Sequence, residues 1–139
     1  RAWTLMSMRE IWSADASNLI GRQLVRLGRA DDALPFCWDA WLVYKRFNQL
    51  EGEADALSNL GDIYRDQGHR DQAITCYQRS LDLDRKLGDR YWQASALVRL
   101  GLLMRELGDE EAARTHLKEG LTILRDLNHP DAEDVALHL

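Results

Sequence analysis

The sequence predicts an all-α protein, a solenoid of antiparallel helix hairpins with about three full repeats and a half-repeat at each end. Three observations predict it. Glycines recur in one frame forty residues apart: Gly21 with Gly28, Gly61 with Gly68 and Gly101 with Gly108, each pair followed by an alanine, Ala33, Ala73 or Ala113. Apolar residues between them step by three and four, which puts side chains on one face of an α-helix. No useful length alternates apolar and polar at period two, so no strand is expected. A fixed period of this length describes stacked units that bury a core against their neighbours, and such a stack is a binding scaffold before it is an enzyme.

Taken in order, residues 1–12 align with second helices of later copies, Arg1 with Trp41 and Trp3 with Val43, and are expected as an orphan second helix. Repeat 1 covers 13–50, repeat 2 covers 51–90 and repeat 3 covers 91–129, while 130–139 begin a further first helix. Slots match by size: Ile20, Leu60 and Leu100; Cys37, Tyr77 and Leu117; Trp41, Leu81 and Leu121. Gly28, Gly68 and Gly108 are placed to end first helices in a left-handed residue. The segments after them open acidic, at Asp31-Asp32, Asp71 and Asp109-Glu110-Glu111, which suits a helix N-terminus. Gly88-Asp89 and Asn128-His129-Pro130 mark joins between repeats, with Pro130 suited to a first turn. Pro35 lies inside a second helix, where a local distortion is expected. Gly21, Gly61 and Gly101 should lie against Ala33, Ala73 and Ala113 where helices cross; a leucine at Gly61 would overpack that crossing by roughly 1–3 kcal/mol.

The 139 residues suit one domain, with 45% hydrophobic and 29% charged residues. A net charge of −5 and a pI near 5.3 argue against a nucleic-acid partner, which needs a basic face. No apolar run approaches a membrane span, and the first residues lack the pattern of a signal peptide. The chain does not begin with Met, so a fragment of a longer protein is expected. Cys37 and Cys76, without CxxC spacing or a secretion signal, point to a reducing, cytoplasmic setting. Cut ends should expose Trp3, Leu5 and Trp12 on one side and Val135, Leu137 and Leu139 on the other, so end-to-end self-association is expected.

Chemistry is sparse. His69, His116, His129 and His138 are scattered, and only His116 has a near ligand type, Glu119 three residues on, so no metal site is assigned. The glycines follow the repeat frame and leave no phosphate-cradling loop. No spacing marks a nucleophile. The chain is expected to be no enzyme and to carry no cofactor. Trp38 aligns with Gln78 and Lys118 and is expected half-buried beside Pro35. Tyr91 and Trp92 should staple the join into repeat 3.

The run Leu57-x-x-Leu60-Gly61-x-x-Tyr64, followed by Gly68, Ala73, Tyr77 and Ser80-Leu81, resembles the tetratricopeptide repeat. The period is forty rather than the usual 34 residues, which resembles the longer repeats of kinesin light chains and LGN-type polarity adaptors. The segment around Asn59 to Arg90 also resembles the C-terminal arrays of NTPase-linked transcription regulators of the Streptomyces antibiotic regulator type. The resemblance implies a right-handed superhelix whose first helices line a concave groove. Carried over residue by residue, that groove would receive Asn18, Arg22 and Arg26, then Asn59, Asp62 and Arg65, then Arg99, Leu102 and Arg105. It implies a protein or peptide partner, with asparagines meeting its backbone and arginines its carboxylates. The expected function is a protein–protein interaction scaffold within a bacterial regulatory protein. The alternative is a ligand- or peptide-sensing domain controlling an attached effector.

Overall fold

Glycine and asparagine in the left-handed region punctuate the chain. In the computed structural model, which describes residues 4–139, helices α1 (Leu5–Arg26), α2 (Ala30–Arg46), α3 (Leu50–Asp66), α4 (Arg70–Leu87), α5 (Arg90–Glu106), α6 (Glu110–Asp126) and α7 (Asp131–Ala136) follow one another, with no strand among the described residues. Gly28 has φ +75°, and Gly68 and Gly108 repeat it. There the Gly28 N–H bonds the Val25 carbonyl at 3.0 Å and the Arg29 N–H the Leu24 carbonyl at 2.8 Å, a Schellman closure that satisfies the last carbonyls. The joins use the same device at Asn48, Gly88 and Asn128. Asn48 escapes a reading guided by glycine, yet it occupies the same slot and tolerates the same backbone.

Helix starts follow the acidic pattern. Asp31 and Asp32 lie in the first turn of α2, and Asp109 caps α6 by accepting from the Ala112 N–H at 3.1 Å. Asp89 caps α5 in the same way. Pro130 stands one residue ahead of α7, and the His129 ring nitrogen Nδ1 accepts from the Asp131 N–H at 3.1 Å. Pro35 sits inside α2, which runs from Ala30 to Arg46 without a break.

α1 differs from expectation. It runs continuously from Leu5 to Arg26, so the boundary drawn between residues 12 and 13 lies inside a helix and no separate second helix precedes Ser13. The reason is local. The slot filled by Asn48, Gly88 and Asn128 in the joins is filled by Met8, which has no preference for the left-handed backbone and continues the helix. Thr4 caps it instead, accepting from the Ser7 N–H at 3.0 Å. Trp3 lies outside the described residues.

The chain forms two compact units, residues 1–76 and 77–139, with α4 beginning in one and ending in the other. In the first, α1 packs on α2 and α2 on α3 around Ala33, Cys37, Ala40, Tyr44, Leu57, Leu60 and Ile63, all buried. Gly21 meets α2 so closely that a Cβ there would stand 2.2 Å from the Cys37 sulfur. Gly52 lies flat against the Tyr44 ring, its missing Cβ 2.4 Å from a ring carbon. In the second unit α5 and α6 cross at Gly101, whose Cβ would lie 2.7 Å from Leu117 and 3.1 Å from the Ala113 carbonyl oxygen. The expected pairings of Gly21 with the Ala33 turn and Gly101 with the Ala113 turn are therefore present, and Gly61 and Ala73 are both buried. Val135 is 5% exposed, held in the core of the second unit, so it is not part of an open end, whereas Leu137 is 85% exposed.

Burial also settles the thiols. Both cysteines are free and buried. Desolvation, with the Asp55 charge adding to it, pushes the Cys37 thiol up to about 12. Because the folded value is raised, the uncharged thiol favours the fold at all pH below 9, and that contribution is lost as pH rises from 9 towards 12. In the folded chain at pH 8, Cys37 should therefore resist a thiol-specific disulfide reagent and react on unfolding; fast labelling of the native chain at Cys37 would show that the site opens.

Candidate functional site: the polar faces of α1, α3 and α5

Residues four apart on a helix share a face, so Asn18 and Arg22 on α1 stand beside Asp55 and Asn59 on α3. They form one hydrogen-bonded chain. The Asn59 amide nitrogen donates to the Asn18 carbonyl oxygen at 2.9 Å. The Asn18 amide donates to the Asp55 carboxylate at 2.6 Å, and Arg22 Nη2 donates to the same oxygen at 2.6 Å. Asn18 and Asn59 are buried, while Arg22 keeps 37% of its side chain exposed. Beside them the Tyr44 hydroxyl donates to Asp15 at 2.5 Å. Burial first, and then that hydrogen bond to a carboxylate, push the Tyr44 phenol well above its ordinary value.

This network revises one expectation. Asn18 and Asn59, expected to meet a partner's backbone, are instead engaged with each other and with Asp55, because they fall between two packed helices. Arg22 is held by Asp55 yet presents a guanidinium edge to solvent. Arg26, one turn on, is exposed, as is Leu19 at 52%. Arg65 is partly exposed and pairs with the adjacent Asp66 at 3.1 Å, and Asp62 is half-buried. The polar slot shared by Asp15, Asp55 and Ser95 was the available sequence signal for the network; nothing in the sequence joined Tyr44 to it.

In the second unit, Arg99 Nη1 donates to the Ser95 hydroxyl at 2.7 Å, and the Tyr91 hydroxyl donates to Asp131 at 3.2 Å. The Tyr91 ring lies 4.6 Å from the His129 ring, so Tyr91 ties α5 to the join that follows repeat 3 rather than to the join into it, while Trp92 packs edge-on against Tyr91 and stays 45% exposed. Tyr91, Ser95, Arg99 and Asp131, with Val98, Leu124 and Val135, line a recess of about 300 Å³. Leu102 is half-buried. Arg105 turns away from such a role: it pairs with Glu110 at 2.9 Å and donates to the His138 carbonyl. Sequence placed it in the groove because its slot lies on the first-helix face, but its length lets it reach the chain's last turn.

No group of three acidic, histidine or cysteine side chains among the described residues is arranged to hold a metal ion. His116 Nδ1 instead bonds the Ala112 carbonyl one turn back at 2.7 Å. Trp38 is 41% exposed, its ring 5.2 Å from that of Trp41. No helix among the described residues is long and apolar enough to cross a membrane.

The geometry has counterparts. The family model described as tetratricopeptide repeat matches residues 12–86 and 52–126. The chain is similar to the regulatory protein AfsR of Streptomyces griseus, 27% identical over 125 residues, covering 90% of this chain and 12% of that protein. The chain thus spans only a small part of that relative. Among solved structures it is similar to the TPR domain of Arabidopsis FLU, with a TM-score of 0.78 and 18% identity over 83% of this chain and 97% of that one. It is also similar to a Rap protein complexed with Competence and Sporulation Factor, with a TM-score of 0.85 and 19% identity over 91% of this chain and 36% of that one.

Proposed function

The chain belongs to the tetratricopeptide repeat family, and on that premise we propose that it is a non-catalytic interaction module whose first-helix faces bind an extended segment of a protein partner. One observation carries the reading. The run Asn59–Asn18–Asp55–Arg22 fixes a guanidinium in place while leaving it more than a third exposed. An arginine held in advance loses less freedom on binding a carboxylate than a mobile one. Exposed Arg26 and Leu19 beside it suit a peptide with an acidic residue next to an apolar one. On the second unit, Arg99 and Leu102 with the Tyr91 recess offer the same combination. Asp62 and Arg65 flank the α3 face. Asn18 and Asn59 then act as positioning residues rather than contacts. The setting we propose is a cytoplasmic bacterial regulatory protein.

The reading is tested by selecting random peptides displayed on phage against the chain. Enriched sequences should pair Asp or Glu with a large apolar residue, and Arg26→Glu should weaken their binding about tenfold or more, the worth of one charge-assisted contact. Arg26 is exposed, so the fold should tolerate the change. Peptides that bind Arg26→Glu and Arg99→Glu as well as the parent would move the site elsewhere.

A second reading has its own support. The Rap similarity is to a complex with a named factor, and AfsR is a regulatory protein, so the module would sense a peptide signal and control an attached effector. A selected peptide that slows amide hydrogen exchange in helices beyond those it contacts favours this version, because a sensor must pass the binding event on to its effector.

A further inference from the structure

α3 shows what its slots are for. Ala56, Leu60 and Ile63 are buried, on the face that Gly52 turns against Tyr44 of the antiparallel α2. The same slots on α1 are Ala16, Ile20 and Gln23, with Trp12 in the place of Gly52, and all four are exposed. Leu5 at 82%, Trp12 at 63%, Ile20 at 45% and Leu27 at 71% extend this into one stripe along the helix. Turns at left-handed Asn48 and Asn128 bring α2 onto α3 and α6 onto α7, whereas α1 runs straight through that slot at Met8.

We infer that this stripe binds the same stripe of a second copy, α1 against α1 in antiparallel pairing about a two-fold axis at Ala16. The arrangement of residues selects this occupant. Trp12 lies four residues before Ala16 and Ile20 four after; Leu5 lies eleven before and Leu27 eleven after. An axis at Ala16 therefore brings Trp12 of one copy level with Ile20 of the other, and Leu5 level with Leu27. This self-complementarity is what an isologous interface requires. The smallest residue falls at the centre, where Ala56 lies on α3, so the backbones can approach. Arg9 comes level with Gln23, so the stripe sets no like charges against each other. Arg22 and Arg26 lie to one side of the stripe, so pairing leaves the proposed peptide face open.

Sedimentation of the chain over a concentration series tests this. The parent should pass from monomer to dimer in the micromolar range, and Ala16→Glu, which sets two carboxylates at the axis, should weaken dimerisation about a hundredfold without loss of helix signal. Ala16→Cys should cross-link into a dimer under mild oxidation, since the native thiols are buried. A folded parent that stays monomeric throughout overturns the inference. So does association that survives Ala16→Glu but is lost in Leu137→Glu, which would mean end-to-end stacking. Peptide binding by the Ala16→Glu monomer separates failure here from failure of the proposed function.

Discussion

One added methyl group at Gly101 is expected to lower the unfolding free energy by about 1–3 kcal/mol. The Cβ of Gly101→Ala would lie 2.7 Å from Leu117 Cγ and 3.1 Å from the Ala113 carbonyl oxygen. Leu117 is fully buried and the second neighbour is backbone, so neither can rotate away cheaply. Relief requires α5 and α6 to separate, which loosens every contact along their crossing. Gly120→Ala is the control. Its Cβ would meet Val98 at 3.1 Å and the Ala94 carbonyl oxygen at 3.3 Å, a milder squeeze. Urea denaturation should place the Gly101→Ala midpoint below that of Gly120→Ala. Equal midpoints would mean that the crossing relaxes and that close approach at Gly101 is not a requirement of the fold.

The second large effect is expected at Asp55. Its carboxylate is the common acceptor for Asn18 and Arg22. In Asp55→Ala the Asn18 amide, 4% exposed, loses its acceptor where water cannot easily replace it, at a cost of about 1–3 kcal/mol. The ion pair itself contributes less, because both side chains are about a third exposed and solvent screens them. Arg22→Ala should therefore cost under about 1 kcal/mol, leaving Asp55 still paired with Asn18. A double-mutant cycle on Asn18→Ala and Asp55→Ala should return a coupling of about 0.5–3 kcal/mol. Equal losses for Asp55→Ala and Arg22→Ala would show that the surface charge, not the buried amide, is what Asp55 serves.

Much of the fold was legible because it depends on local rules. Positive φ at Gly28, Gly68, Gly88 and Gly108 follows from glycine standing where the apolar spacing of a helix stops, and the burial of Cys37, Tyr77 and Leu117 follows from their shared slot. The start of α1 was misread for the same reason: the forty-residue frame was extended over Met8, although no turn residue stood there. The candidate site was less legible. Helical spacing put Asn18, Arg22 and Asn59 on polar faces, but spacing within one helix is silent on which side chains of two helices meet.

The sequence by itself determined the repeat, the family and the helix ends that glycine marks, because glycine placement, capping and the three-to-four spacing act within a few residues. Only the tertiary structure decided that the groove asparagines are tied to Asp55 and that Arg105 reaches the His138 carbonyl. Those outcomes depend on distances between residues far apart in the chain, where packing chooses one partner among several that the pattern permits equally.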